Sequence, residues 1–270
     1  MRRTCEAENG FTLLELLLVI GIIGVLANLL LPALSMTKAY GHSTTCKNHL
    51  RQMGLALKMY VDEHQNKYPF YLGPRGPAYG DAVGQGGRAK GLVYWSSKLF
   101  PYYPLNWTNR AFHCPGYTGA NAGPPVDSNR EGVDRFGSYA YNVNGTTVLD
   151  DTYAKDHEHF GLGPILYWAD APVVSEAQVK VPAEMLAIAD SKVVIVRGLV
   201  TSDVDSPNGQ DSLFCGVYAW EFFYPERHGK KYNELLCDGH VAAINPRVLF
   251  NPTNSASMWN YDHEPHPELW

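Results

Sequence analysis

The residues best suited to chemistry lie near the C-terminus, where nine residues separate His228 from Asp238-Gly239, and His240 follows directly. Two imidazoles and a carboxylate can bind a hydrolytic zinc ion, which uses three protein ligands and keeps one position open. A simpler interpretation is that His228 and Asp238 form a side-chain lock on a hairpin, because a buried, satisfied histidine is commoner than a metal ligand. The pattern therefore predicts a structural motif of His228, Asp238 and Gly239, and no metal site.

Glu15 is a second candidate functional residue, because it is the only ionisable residue between Leu13 and Leu34. A charged carboxylate within a membrane helix costs about 2.5 to 3.5 kcal/mol, so it needs a partner or a function. Alternatively, Glu15 lies at the level of the lipid headgroups, where the start of a helix favours a negative charge.

The remaining polar clusters do not predict an active site. The segment 203–211 is rich in oxygen ligands for calcium, but Pro207 stands where a ligand is expected and no Glu closes the loop. The segment 156–159, Asp-His-Glu-His, is typical of a solvated loop. There is no nucleophile elbow, phosphate-binding loop or dinucleotide fingerprint. We therefore predict that the protein is not an enzyme and binds no cofactor.

The elements that position these residues begin with an apolar run. Residues 13–34 form a stretch of 22 residues, and about 20 apolar residues are enough to cross a bilayer. Three interpretations are open: a cleaved secretory signal, a plain transmembrane anchor, or a prepilin-type segment that is trimmed at its start and then retained. A secretory signal is disfavoured, because its apolar core is shorter and ends at a small-residue cleavage site.

The helix is expected to continue beyond the membrane. Pro32 can kink it, and the polar segment that follows carries one apolar stripe at helical spacing. The stripe consists of Leu50, Met53, Leu57, Tyr60 and Val61. Lys67-Tyr68-Pro69 ends the pattern, so we predict a helix from Phe11 to about His64 that packs on a domain through the stripe.

The rest of the chain has the composition of a loop-rich body. The protein has 270 residues, including 25 Gly, 18 Pro and 33 aromatic residues, and a net charge of -5. Nucleic-acid binding is therefore not expected. Short strands are predicted at 185–189, 193–196, 213–218, 232–237 and 240–244, and Asp238-Gly239 predicts a type I′ hairpin turn. We expect an antiparallel sheet packed on the helix.

The N-terminus resembles that of a type IV prepilin. A short polar leader with two arginines ends at Gly10, and Phe11 and Glu15 follow at the first and fifth positions of the mature chain. The resemblance implies cleavage between Gly10 and Phe11 by a prepilin peptidase, followed by methylation of the Phe11 amine. It also implies that the Glu15 carboxylate pairs with the N-terminal ammonium of a neighbouring subunit during assembly.

The C-terminal motif resembles the H-x9-DG branch of prepilin-like proteins, also called the DUF1559 family. Islands elsewhere match the same family: the Cys-containing polar helix around Cys46, Trp95 with a Leu-x-Pro-Tyr run, Cys114-Pro115, and the run 139–142. Type II secretion pseudopilins share the N-terminus but usually have a shorter body.

The resemblance implies an α+β, pilin-like fold: a long N-terminal transmembrane and amphipathic helix packed on an antiparallel β-sheet with loop-rich insertions. Residues 1–10 would be the leader, 11–34 the transmembrane and assembly helix, 35–68 its amphipathic continuation, and 69–270 the extracytoplasmic body. The expected function is that of a structural subunit of a type IV pilus or type II secretion pseudopilus. Its partners would be the prepilin peptidase, other pilin-like subunits, the inner-membrane assembly platform and the lipid bilayer. The alternative is a membrane-anchored ligand-binding module or metal-dependent hydrolase that is exported by the prepilin route.

The cysteines complete the set of candidate residues. Five are encoded, and removal of the leader would leave Cys46, Cys114, Cys215 and Cys237 in a body expected to lie in an oxidising compartment. A bridge from Cys46 to Cys114 would tie the Gly/Pro-rich segment to the helix. Cys215 and Cys237 can pair only if their strands are neighbours with facing side chains. Buried thiols are the alternative for all four.

Overall fold

The structure is a computed structural model that describes twelve stretches of the chain. They are residues 11–70, 72–74, 92–104, 110–117, 138–146, 160–163, 173–190, 193–194, 208–209, 212–215, 228–249 and 251–267. The helices are α1 (Leu13–Glu63), α2 (Trp95–Leu99), α3 (Pro246–Leu249) and α4 (Pro252–Trp259). The strands are β1 (Leu72–Pro74), β2 (Leu92–Tyr94), β3 (Tyr139–Thr146), β4 (Leu186–Asp190), β5 (Val193–Val194), β6 (Asn208–Gly209), β7 (Ser212–Cys215), β8 (Tyr232–Leu236) and β9 (Val241–Ile244).

Helix α1 is the longest element, with 51 residues. Thr12 caps its N-terminus and Glu15 completes a capping box, which satisfies backbone N–H groups that have no partner within the helix. The helix continues through Pro32, and at its C-terminus the His64 N–H donates to the carbonyls of Tyr60 and Val61. The predicted helix is confirmed to within two residues at its start and one at its end.

The second half of α1 is buried on one side only. The buried residues are Cys46, Leu50, Met53, Gly54, Ala56, Leu57, Tyr60 and Val61, and they include all five residues of the predicted stripe. Gly54 allows the helix to approach the sheet closely, because a Cβ there would lie 2.8 Å from Leu235 Cδ1. The stripe is therefore the face by which α1 packs on the body.

The main sheet has five strands in the order β7-β3-β4-β8-β9. Four of them, β3, β4, β8 and β9, pair in antiparallel fashion, whereas β7 pairs in parallel with β3. The α+β prediction is confirmed, and the expectation of an antiparallel sheet holds for these four strands. β3 was not among the predicted strands, although the run 139–142 had been noted as a motif.

The sheet lies between two helical layers because side chains alternate along its strands. On β3, Tyr139, Tyr141 and Val143 belong to the core cluster that contains the α1 stripe, whereas Ala140 belongs to a second cluster with Trp259 of α4. In α4, Asn251 caps the N-terminus, and Trp259 Nε1 donates to the Leu249 carbonyl. Helix α1 thus covers one face and the C-terminal helices cover the other.

The Asp238-Gly239 hairpin is confirmed, but the predicted turn type is wrong. β8 and β9 pair across it, with Leu235 opposite Val241. Gly239 has a φ of +93°, whereas Asp238 is not among the described residues with positive φ, so the two-residue type I′ conformation does not apply. Instead, the Gly239 N–H donates to the Leu236 carbonyl and the loop is longer by one residue, which needs positive φ at its glycine alone.

Candidate functional site: a buried Cys-Cys-Asp-His cluster

Four side chains that can ligate metals meet beneath helix α1. Cys46 comes from the helix, Cys114 from the segment after the 3-10 turn Arg110–Phe112, Asp190 from the end of β4, and His228 from the turn before β8. One ligand atom from each residue lies within 4.8 Å of all the others. We call these four residues the buried cluster.

The atoms of the buried cluster are in direct contact. The Cys46 thiol donates to Asp190 Oδ1 over 3.0 Å. Cys114 Sγ lies 3.1 Å from His228 Nε2, and the same nitrogen lies 3.4 Å from Asp190 Oδ2. The imidazole therefore meets both the thiol and the carboxylate through one ring nitrogen.

Local backbone geometry places the His228 ring in the interior. His228, Gly229 and Lys230 all have positive φ, of 51°, 70° and 69°. For non-glycine residues this conformation is uncommon and costs free energy, and such residues gather at functional sites. The turn leaves the side chains of both His228 and Asp190 with no solvent exposure.

Neighbouring groups hold the other three members in place. Asp190 Oδ2 accepts the Asn233 backbone N–H over 2.8 Å, which ties the end of β4 to β8. The Cys114 backbone N–H donates to Ser138 Oγ. The Tyr139 hydroxyl is hydrogen-bonded to Cys46 and lies 3.1 Å from His49 Nδ1 on the helix. Each member is thus positioned by contacts from a separate segment.

The electrostatics of the buried cluster favour a protonated Cys46 thiol. Burial, a hydrogen bond with Cys114 and the Asp190 carboxylate together raise the pKa of Cys46 well above its usual value. Burial works against a charged imidazole, but hydrogen bonds to Asp190 and Cys114 outweigh it and raise the pKa of His228 to about 9. In this state a buried imidazolium-carboxylate pair lies beside the Cys46 thiol.

The arrangement is not that of a nucleophilic triad. A catalytic base must contact the nucleophile with one ring nitrogen and its orienting carboxylate with the other. Here Cys114 and Asp190 both face Nε2, and His228 Nδ1 has no hydrogen-bond partner within the described residues. Convergence of four donor atoms on one point is instead the geometry of metal coordination.

The two ends of the H-x9-DG motif lie in different places, so the predicted lock between His228 and Asp238 is wrong. Within the described stretches, no hydrogen bond joins these residues, because His228 is turned towards Asp190. Asp238 instead accepts the backbone N–H of His240 and lies 2.7 Å from its Nδ1. Hydrogen bonds from His240 lower the pKa of Asp238, although its partial burial acts in the opposite direction.

The motif's second end lines a groove. The groove has a volume of about 360 Å³. Asp238 and Gly239 line it on the hairpin side, and Arg51 and Lys58 line it on the side of helix α1. The alternative zinc set of His228, Asp238 and His240 is not brought together, because His228 lies in the buried cluster. Asp238 and Gly239 therefore act in the hairpin and in the wall of this groove.

The cysteine predictions have two outcomes. Cys46 and Cys114 are brought together as expected, but neither is in a disulfide in this structure, so the predicted bond is not formed. The Cys215 to Cys237 bridge is wrong, because β7 and β8 are separated by β3 and β4. At about 4.8 Å between neighbouring strands, their backbones lie about 14 Å apart, whereas a disulfide needs Cα atoms within about 7 Å. Cys237 is hydrogen-bonded to Tyr68 instead.

Comparisons with protein-family models, curated proteins and solved structures gave no match to this chain. The prepilin resemblance accordingly depends on the N-terminal motif and the scattered islands of sequence.

The N-terminal candidates are described from Phe11 onward, and Gly10 lies outside the described residues. Glu15 Oε2 accepts the Thr12 backbone N–H over 2.9 Å and the Thr12 hydroxyl over 2.8 Å. The carboxylate therefore has a local role as part of a capping box, in addition to any role between subunits.

Asp190 is the site residue that sequence reasoning missed. It directly follows the predicted strand 185–189, and a carboxylate at the end of an otherwise apolar strand was the available signal. The sequence analysis singles out the other three residues, but it pairs Cys46 with Cys114 and His228 with Asp238. It therefore does not show that His228 and Asp190 meet the two cysteines.

Proposed function

We propose that the protein is a prepilin-like structural subunit of a type IV pilus or type II secretion pseudopilus. The observation that carries the proposal is the unequal surroundings of α1. Between Leu13 and Leu34 the large apolar side chains are exposed on every side of the helix, and none of the described residues of the body covers them. A surface of this kind needs lipid or other apolar helices around it.

The dimensions support two environments in succession. A 22-residue segment is about 33 Å long, which matches the hydrocarbon core of a bilayer. The remaining turns of α1 are one-sided and carry the body through the buried stripe. A continuous helix lets one element serve as a membrane anchor before assembly and as a packing element between subunits afterwards.

Glu15 supports the assembly role. In the single subunit its carboxylate is hydrogen-bonded only to Thr12 among the described residues, so it can also bind a partner outside the chain. We propose the N-terminal ammonium of a neighbouring subunit as that partner. The prepilin peptidase would cut between Gly10 and Phe11, and the assembly platform and neighbouring subunits would then draw the helix out of the inner membrane, with the body on the extracytoplasmic side.

The alternative of an exported metal-dependent hydrolase receives less support. Such an enzyme needs a metal with an open position that substrate can reach. The buried cluster instead offers four ligands in the interior, with Cys46, Cys114 and Asp190 at most 1% exposed. The arrangement favours a structural role, and the proposal therefore remains that of a non-enzymatic subunit.

Processing is tested by mass spectrometry of the N-terminal peptide from membranes. The expected product begins at Phe11 and carries a methylated amine. An intact Met1 would support a plain anchor, and a chain that starts after Ala27 would support a secretory signal. Either result would overturn the proposal.

Assembly is tested with a pair of variants that separate charge from capping. Glu15→Gln keeps a side-chain oxygen for the Thr12 N–H but removes the charge, because Gln also completes a capping box. Thr12→Ala keeps the charge and removes the hydroxyl part of the cap. We expect processed, membrane-inserted Glu15→Gln subunits that form no filaments, and filaments from Thr12→Ala, as counted by electron microscopy. Normal filaments from Glu15→Gln would show that Glu15 is only a capping residue.

A further inference from the structure

We infer that the buried cluster of Cys46, Cys114, Asp190 and His228 binds one zinc ion that fastens helix α1 to the body. The inference does not depend on the proposed function, because it concerns the interior of the body and not the exposed half of the helix. It also differs from the hydrolytic set considered in the sequence, since only His228 is common to both.

The donor set matches zinc in chemical type. Two thiolate sulfurs, one imidazole nitrogen and one carboxylate oxygen are all ordinary ligands of this borderline-soft ion. Calcium and magnesium prefer sets made of oxygen alone. Four protein ligands in the interior fill a tetrahedron, which is the arrangement of structural zinc sites.

The spacing matches as well. Bonds of about 2.3 Å to sulfur and about 2.0 Å to nitrogen or oxygen place tetrahedral ligands about 3.3 to 3.8 Å apart. The contacts from Cys46 to Asp190, Cys114 to His228 and His228 to Asp190 measure 3.0, 3.1 and 3.4 Å. These three pairs lie within about 0.5 Å of the spacing in a tetrahedral zinc site, and every ligand atom of the cluster lies within 4.8 Å of the others.

Two other states of the cluster compete with zinc. A disulfide between Cys46 and Cys114 would remove the thiol proton that Cys46 donates to Asp190, and it would leave a buried carboxylate with a weaker set of contacts. An imidazolium-carboxylate pair of His228 and Asp190 accounts for those two residues but not for two thiols directed at them. Zinc is the state that uses all four side chains at once.

Binding conserves atoms and charge in a simple way. The S–H bonds of Cys46 and Cys114 break, each sulfur gives an electron pair to the ion, and two protons leave to solvent. A proton on His228 Nε2, where present, leaves as well, so that the ring donates its nitrogen lone pair. No oxidant or reductant takes part.

Such a site would join parts of the chain that are far apart in sequence. The ligands stand at positions 46, 114, 190 and 228 and belong to α1, the segment after Phe112, β4 and the turn before β8. Because the unfolded chain does not present these four groups together, the free energy of zinc binding becomes free energy of folding. Zinc would thus make the joint between α1 and the sheet resistant to pulling along the helix.

The experiment measures zinc content and cobalt spectra of the full chain purified in detergent with zinc present. We expect about one zinc per chain by elemental mass spectrometry. Cobalt substitution should give the strong visible bands of a tetrahedral site and a thiolate charge-transfer band. His228→Gln should lower zinc content to about a tenth or less, and Cys237→Ser, which changes a partly buried thiol outside the cluster, should leave it unchanged. A chelator should lower the unfolding temperature of the wild type but not that of His228→Gln.

A second variant keeps the test decisive if His228→Gln fails to fold. Asp190→Cys preserves four ligands, so it should still bind one zinc, and its cobalt charge-transfer band should be about 1.5 times as strong because three thiolates replace two. Equal zinc in the wild type and His228→Gln would overturn the proposal. A cross-linked peptide of Cys46 and Cys114 in non-reducing peptide maps of the zinc-treated protein would overturn it in favour of the disulfide.

Discussion

The two halves of helix α1 have the same backbone but opposite surroundings. Between Leu13 and Leu34 large apolar side chains are exposed all round, whereas between Cys46 and Val61 only one stripe is apolar and buried. The difference is a matter of side-chain pattern and not of helix formation. A continuous helix can therefore pass from one environment to another. Its pattern of apolar side chains must change at the same point as its environment.

The polar side chains of the two halves follow the same division. In and just after the apolar half, Asn28, Ser35 and Thr37 all bond to carbonyls of their own helix three or four residues earlier. In the second half Arg51 also bonds within the helix, to Asn48, but Lys58 reaches Glu176 of the body. Local satisfaction suits a helix in lipid, where no water is present to bond polar groups. The second half thus adds a polar contact with the body that the first half lacks among the described residues.

The largest expected difference between the halves follows from truncating one leucine in each. Leu50→Ala leaves a cavity against the sheet and should lower the free energy of unfolding by about 2 to 5 kcal/mol. Leu17→Ala, at a side chain that is 62% exposed, should change it by no more than about 0.5 kcal/mol. Denaturant unfolding in detergent, followed by near-UV circular dichroism, measures both. Equal losses would mean that the first half also packs within the subunit.

Two carboxylates differ in their surroundings in the same way: Glu15 is hydrogen-bonded at an exposed helix start, whereas Glu234 is buried in β8. Burial raises the pKa of Glu234 to about 7 from an ordinary value of 4.5, and its Oε2 has no partner within the described residues. Below pH 4.5 the group is protonated in both the folded and unfolded states. As pH rises from 4.5 to 7 only the unfolded chain loses its proton, so stability falls, and the loss is complete above pH 7.

Glu234→Gln should therefore raise the free energy of unfolding by about 3 kcal/mol above pH 7, at about 1.4 kcal/mol for each pKa unit. The gain should shrink to nothing as pH falls to 4.5. Unfolding curves at a series of pH values measure it. Glu184→Gln, at an exposed carboxylate, is the matched control and should show no such dependence. A gain that is constant with pH would contradict the assignment of the effect to ionisation.

The smallest expected effect compares two glycines of α1. A Cβ at Gly54 would meet Leu235, whereas one at Gly24 would have no atom within 4 Å. Gly54→Leu should overpack the contact between α1 and the sheet and lower the free energy of unfolding by about 1 to 3 kcal/mol. Gly24→Leu should not lower it in the detergent-solubilised subunit, and thermal unfolding measures the pair. Destabilisation by Gly24→Leu alone would reverse the assignment of the two halves.

Local patterns accounted for much of the fold. The apolar run and the stripe predicted α1 to within two residues at either end, and β4, β8 and β9 lie where branched residues had placed strands. β3 was not predicted, although its Tyr-Ala-Tyr-Asn run alternates large and small side chains as a strand with two different faces does. The parallel pairing of β7 with β3 was also missed, since strand direction depends on the connection between strands and not on their residues.

The sequence by itself determined the elements whose cause is local: the long helix with its change of pattern, and the hairpin at Asp238-Gly239. Such elements depend on residues within a few positions of one another, so periodicity and turn residues reveal them. Only the tertiary structure decided that His228 meets Asp190 and not Asp238, and that Cys46 and Cys114 join them. Consecutive members of this set lie 38 to 76 positions apart along the chain, and the packing of α1 on the sheet, not their spacing, brings them together.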